Sequence, residues 1–156
     1  MMSSEQQILN LIGKYTHYVD QADFEKVGEL FINGKIISPG SSMEGKEGVA
    51  SQLKKNLQVY PDGTLRTAHV TTNIVLDIQE EKNEATAVSY LTIFQQDKER
   101  GLALQPIAVG RYHDVFKQTN DTWHFSVREL IITLAGDLSH HAMPGSIDPE
   151  TIENNG

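Results

Sequence analysis

The first half of the chain carries a helical period. Ile8, Ile12, Tyr15 and Val19 recur at i, i+4, i+7 and i+11, which places them on one face of a helix over residues 4–19. The pattern breaks at Asp20–Asp23 and resumes over 23–32, where Val27, Leu30 and Phe31 give a second helix its apolar side. Asp23 stands at the cap position of that helix, with Glu25 near its positive end. Asn33-Gly34 closes it, because both residues tolerate the left-handed conformation. Lys35–Ser38 predicts a short strand and Pro39–Ser42 a loop. A third helix is predicted over 46–59, with Val49, Leu53 and Leu57 spaced by four, and Pro61-Asp62-Gly63 then makes a turn.

Near residue 65 the period changes from helical to alternating. Four β-rich runs follow, at 66–78, 84–97, 104–117 and 122–135, separated by turn signals at Glu81-Lys82-Asn83, Lys98–Gly101 and Asn120-Asp121. Short connections predict antiparallel neighbours in a meander. Helices first and strands after predict an α+β fold, with the helices on one face of an antiparallel sheet. Strands this long coil strongly, and a curved sheet over helices encloses a concave pocket. In the first run, Val70, Thr72, Ile74, Leu76 and Ile78 share one face, and His69, Thr71, Asn73, Val75 and Asp77 the other. Gly110 sits mid-strand, where a bend or a close backbone approach needs it. From Gly136 the chain is polar and aperiodic and predicts a loose tail. The expected division is one domain over 1–141 and a polar C-terminal tail over 142–156.

Composition narrows the partners. A net charge of −8, from 13 basic and 21 acidic residues, disfavours nucleic acid and anionic membranes, which need a basic surface. There is no cysteine, hence no disulfide framework, thiolate zinc site or cysteine nucleophile. The polar start MMSSEQQ carries no basic and apolar leader pattern, and no apolar run reaches the length of a membrane span, so a cytoplasmic location is expected.

Few motifs carry chemistry. Gly40 to Glu47 nearly spells a phosphate loop, but Glu47 stands where Ser or Thr should bind magnesium, and Glu44 would repel phosphate. It reads as a glycine turn opening the third helix. Asn120-Asp121-Thr122 reads as a hairpin turn. The histidines have no zinc-ligand spacing, so neither a metal nor a cofactor is expected, and His140-His141 reads as solvated tail. His69 differs, since it lies where strand alternation begins. If its face lines an apolar pocket near a carboxylate, it makes a general base whose tautomer the carboxylate fixes. Asp20, at the helix junction beside Tyr15, is the candidate carboxylate.

Taken in order, Tyr15-x4-Asp20-x2-Asp23, Leu30-Phe31, Gly45-Lys-Glu-Gly-Val, Arg66-Thr-Ala-His69-x3-Asn73, Gly110-Arg-Tyr-His-Asp114 and Trp123-x-Phe125 resemble a SnoaL-like domain of the nuclear transport factor 2-like superfamily. The resemblance spans roughly residues 5–141. It implies a cone, in which a curved antiparallel sheet wraps the N-terminal helices around an open cavity, and it implies a homodimer. Relatives include scytalone dehydratase, polyketide cyclases, steroid isomerases, epoxide hydrolases and ring-dioxygenase small subunits. Asp20 and His69 match the dehydratase aspartate–histidine pair, and Gly110 and Tyr112 match its inward strand positions. Two positions depart: Val19 replaces the tyrosine before the aspartate, and no second histidine stands near Val88–Tyr90. The resemblance therefore implies cofactor-independent acid–base chemistry, as a lyase, isomerase or cyclase, on a small apolar or aromatic cyclic molecule. His69 and Asp20 would be catalytic, and Tyr15, Asn73, Tyr90 and Tyr112 ligand-binding. The alternatives are a non-catalytic binding module and a structural oxygenase small subunit. Apolar residues on both alternations of the later strands, Val88 with Leu91 and Val127 with Ile132, point to dimerisation through the outer sheet face.

Overall fold

In the computed structural model, which describes residues 1–147, Ile8, Ile12, Tyr15 and Val19 become the buried side of helix α1 (Ser4–Asp20). The Ser3 hydroxyl caps it by accepting the Gln6 N–H at 3.1 Å. Helix α2 (Phe24–Glu29) is shorter than its apolar pattern. Asp23 caps it through the Lys26 N–H at 3.3 Å, and Leu30-Phe31 form a tight turn that ends in a Phe31 N–H to Gly28 carbonyl bond of 2.9 Å. Strand β1 (Lys35–Ser38) forms as its sequence predicts. The expected loop at 39–42 gives way to strand β2 (Ser41–Glu44), because Pro39 and Gly40, the latter at φ 73°, turn the chain tightly back on β1. Helix α3 (Gly45–Asn56) follows.

The four long runs become β3 (Thr67–Gln79), β4 (Glu84–Asp97), β5 (Leu102–Thr119) and β6 (Thr122–Ala135). They form an antiparallel meander inside one six-stranded sheet of order β2-β1-β6-β5-β4-β3. The α+β architecture is the expected one, but the sheet is mixed, since β1 runs parallel to β6, with Lys35 opposite Val127. The helices cover one face. Between them and the sheet lies an aromatic core in which Phe31 stacks on Phe125 at 4.8 Å and Tyr15 meets Tyr112 edge-on at 5.9 Å.

Two sequence expectations fail on sheet geometry. The β3–β4 register shifts between Thr72 and Val75, and Asn73 takes φ 54°. This bulge swaps the parity of the strand. Thr67, His69 and Thr71 turn inward before it, and Leu76 and Ile78 after it, leaving Asn73 exposed on the bulge and outside the cavity lining. Tyr90 is corrected likewise. Strand β4 buries Ala85, Ala87, Ser89, Leu91 and Ile93, so Tyr90 points outward, 41% exposed, with its ring under the Arg111 guanidinium.

The run from Gly136 is not loose over the described residues. Ala142 bridges Leu57, the Met143 N–H bonds the Asn56 carbonyl at 2.8 Å, and the Gln58 N–H bonds the His141 carbonyl at 2.9 Å. As far as Ile147 the expected tail is a strap laid along the end of α3. The rest of it, 148–156, lies outside the described residues.

Gly110 is required by approach. A Cβ there would strike the Ile131 carbonyl oxygen of β6, where the β5–β6 register shifts. Replacing Gly110 with Ala should destabilise the fold by about 1–3 kcal/mol, the usual cost of overpacking. Urea denaturation of the two proteins measures it, and an unchanged midpoint would show that β6 yields without cost.

Candidate functional site

The end of α1 meets the start of β3 at one carboxylate. Asp20 Oδ1 accepts the Thr67 hydroxyl at 2.7 Å and lies 2.5 Å from His69 Nδ1. Asp20 Oδ2 accepts the His69 backbone N–H at 2.9 Å. The Asp20 carbonyl also takes the Leu65 N–H at 3.1 Å. The His69 side chain is 6% exposed and that of Asp20 22%. With Nδ1–H donated to the carboxylate, His69 keeps Nε2 as its free acceptor. Burial alone would raise the Asp20 carboxyl, but the hydrogen bond and charge of His69, with the His69 N–H and Thr67, outweigh it and hold Asp20 below its ordinary value.

His69 lines a cavity of about 120 Å³ between the sheet and α1 and α3. Its walls are mostly apolar, with Val19, Ile36, Leu53, Leu91, Ile93 and Ile132 among them, and Tyr15 and Tyr112 also line it. Burial raises both phenols, Tyr112 strongly, so they stay neutral. Behind them Arg128 is fully buried and pairs bidentately with Asp114, Nε to Oδ1 at 2.9 Å and Nη2 to Oδ2 at 3.2 Å. Its guanidinium lies over Tyr112 at 3.5 Å and Tyr15 at 4.3 Å. Burial works against that charge, yet Asp114 beside it outweighs the burial and keeps Arg128 a cation. Of the residues expected around a ligand, Asp20, His69, Tyr15 and Tyr112 converge, and Asn73 and Tyr90 do not.

The sequence reading missed His141. It is 5% exposed rather than solvated, lines the same cavity, and holds its ring 6.1 Å from that of His69. Its Nδ1 is buried with no hydrogen-bond partner among the described residues. Burial, then the neighbouring His69, pushes its pKa from 6.5 to about 3, with Asp20 acting the other way. Its neighbour His140 sits 2.9 Å from the buried carboxylate of Asp97, which also takes Arg100 at 2.7 Å and Arg66 at 3.1 Å. The one local signal was the doubled histidine itself. Among the described residues, no group of three His, Cys, Asp or Glu side chains is placed to hold a metal ion. No helix there is long and apolar enough to cross a membrane.

With this geometry in view, comparison with known proteins places the fold. A family profile described as a SnoaL-like domain matches residues 1–129. Among solved structures, an NTF2-like protein with a cystatin-like fold from Novosphingobium aromaticivorans superposes with a TM-score of 0.70 at 21% identity, over 87% of this chain and 85% of that one. A candidate scytalone dehydratase from the same organism gives 0.66 at 22% identity, over 85% and 86%. ActVI-ORFA from Streptomyces coelicolor gives 0.66 at 15% identity, over 85% and 97%. No curated protein matches the chain.

Two titrations at this site make stability fall in acid. The Asp20 pKa is depressed on folding, so its contribution is present above the ordinary carboxylate range and is lost as pH falls below about 4. His141 is also depressed, so the unfolded chain binds its proton first, and stability declines as pH falls from 6.5 toward about 3. One such proton contributes a slope of up to about 1.4 kcal/mol per pH unit. Thermal or urea melts from pH 7 to 4.5 should show a shallower decline for His141→Phe than for wild type. Parallel declines would mean that His141 takes up its proton in the folded state.

Proposed function

We propose, from the premise that the chain belongs to the SnoaL-like domain family, that its cavity performs cofactor-independent proton transfer on a small apolar cyclic molecule bearing a carbonyl or hydroxyl. The observation that carries this reading is that His69 lines the cavity with its Nδ1 2.5 Å from the Asp20 carboxylate behind it. Asp20 is more than a helix cap, because its carboxylate fixes the Nδ1–H tautomer and supports the imidazolium that forms. His69 Nε2 then takes a proton from carbon or oxygen and returns it elsewhere on the ligand. Such a step serves isomerisation, dehydration or cyclisation alike. Tyr15 and Tyr112, as neutral phenols in the cavity wall, supply hydrogen bonds to ligand oxygen. The apolar wall excludes water, which strengthens those interactions.

A non-catalytic binding module or an oxygenase small subunit is the competing reading, since one fold hosts many chemistries. The two separate on turnover. With 2-indanone as probe, the wild type should accelerate α-proton exchange in deuterium oxide by ~10²-fold over buffer, the lower end of general base catalysis. His69→Asn should abolish the acceleration while leaving probe affinity nearly unchanged. Asp20→Asn should lose most of it and lower the melting temperature as well, because Asp20 also ties α1 to β3. Proton NMR of the probe reads the exchange. Binding of the probe by the wild type with no acceleration would decide for the binding module.

The same reading includes a homodimer through the outer sheet face. That face exposes Val70, Val75, Val88 and Leu134, with Val75 66% exposed, apolar side chains that a partner face would cover. Light scattering at micromolar concentration should give twice the chain mass, and Val75→Lys should shift it toward the monomer. A wild-type monomer would remove the dimer from the reading.

A further inference from the structure

We propose that His141 is a ligand-contacting residue of the cavity, whose imidazole hydrogen-bonds the ketone or enolate oxygen of a ring compound while His69 faces the neighbouring carbon. The inference rests on the proton-transfer reading for the carbon step, but the contact itself stands on separate observations. The first is position. His141 and His69 line one cavity, with rings 6.1 Å apart and inclined at 60°. One small ring compound can therefore place an oxygen about 2.9 Å from a His141 nitrogen and a carbon against His69 at the same time.

The second observation is an unmet need. A buried histidine nitrogen is ordinarily hydrogen-bonded, and His141 Nδ1 has no partner among the described residues. A satisfied core histidine would have one. With Nδ1 enclosed and without a partner among the described residues, the ring proton belongs on Nε2, where a ligand oxygen entering the cavity accepts it and an apolar ligand of the same shape does not.

The third is construction. The strap is fastened on both sides of His141. The His141 N–H bonds the Leu138 carbonyl at 3.0 Å, and the His141 carbonyl takes the Gln58 N–H at 2.9 Å. One residue earlier, the His140 carbonyl accepts the Tyr60 hydroxyl at 2.5 Å and the Gln95 amide at 3.1 Å. The His140 ring is held by Asp97, whose side chain is fully buried and also pairs with Arg66 and Arg100. The anchored strap holds the His141 backbone in place from two sides, which limits the ordering cost of a contact by its ring.

The chemistry follows from neutrality. With a pKa near 3, His141 holds no excess proton at neutral pH, so it donates a hydrogen bond without delivering a charge. As His69 Nε2 takes the α-proton, the C–H pair becomes the new C=C bond and the carbonyl π pair moves onto oxygen. That oxygen gains negative charge, and a neutral imidazole N–H stabilises it. The proton on His69 then returns to another carbon, or leaves with a β-hydroxyl as water.

The test uses acetophenone and α-methylstyrene, which share one shape and differ in C=O against C=CH₂. Dissociation constants come from NMR titration of the full chain. His141→Phe should weaken acetophenone about tenfold, one hydrogen bond's worth, and leave α-methylstyrene within about twofold. In the wild type, imidazole ¹⁵N spectra should show a His141 signal that moves with acetophenone and stays still with α-methylstyrene. This second measurement needs no variant and decides the matter if His141→Phe does not fold. Equal weakening of both ligands, or a His141 signal indifferent to the ketone, overturns the inference and leaves the Asp20–His69 reading intact. Binding of neither compound by the wild type overturns both. A ketone-specific His141 signal in a protein that fails the 2-indanone exchange assay supports the contact and removes the catalysis.

Discussion

The carboxylate of Asp20 is the constraint on which the site and much of the fold depend. One side chain at the end of α1 takes a hydroxyl, a backbone N–H and an imidazole nitrogen, all from the first three residues of β3. The β3 strand is the far edge of the sheet, paired on one side only, with β4. Asp20 therefore does what a further strand would do for that edge: it meets the N–H of His69 and pins the strand's start to the helix. Because the same atoms fix the His69 ring, closure of the fold and orientation of the imidazole are one event. A carboxylate used only as a cap would satisfy helix N–H groups, and Asp23 does that instead.

Two other buried carboxylates organise side chains behind the cavity wall. Asp114 and Arg128 form a dry pair behind Tyr15 and Tyr112. Asp97 gathers Arg66, Arg100 and His140 beside the strap. Taking such ions out of water costs several kcal/mol each, and their attraction only roughly offsets that. Their effect is on shape: each fixes side chains whose neighbours line an otherwise apolar cavity. Removing one partner leaves the other charge buried alone, which costs far more than the pair itself contributes.

What local pattern determines was legible in the sequence, and what depends on distant pairing was not. The change from helical to alternating period near residue 65 located the helices and strands, because burial on one face imposes that period wherever it occurs. Asp20 and His69 were legible because each sits at a boundary of such a pattern. Asn73 was misplaced because alternation was carried straight through β3, and a single left-handed residue at the bulge inverts the parity beyond it. Tyr90 was misplaced because nothing in β4 alone says which alternation faces the helices. There both alternations carry apolar residues, and only pairing with β5, Ser89 opposite Tyr112, settles the inward set. His141 was invisible for a further reason. Its strap has no period, and its position comes from bonds to Gln58, Tyr60 and Gln95, which lie far away in the chain.

That last point bears on how far a missing motif residue argues against function. The resemblance to the dehydratases loses its second histidine at Val88–Tyr90, where Ser89 is inward and buried, its hydroxyl unpartnered among the described residues. Read along β4 alone, this leaves a single imidazole in the cavity. Read in three dimensions, the cavity has two, because the strap brings His141 to within 6.1 Å of His69 from the opposite end of the sequence. A cavity sets requirements on where a polar group lies and on what it can donate, and it is indifferent to which element carries that group. A strap can supply what a strand lacks, provided that it is held as firmly, and the bonds around His140 and His141 supply that hold. The difference that remains is chemical. A histidine on a central strand is fixed by the sheet's own ladder, whereas His141 is fixed by a network centred on Asp97, so the geometry of this cavity answers to a carboxylate that does not line it.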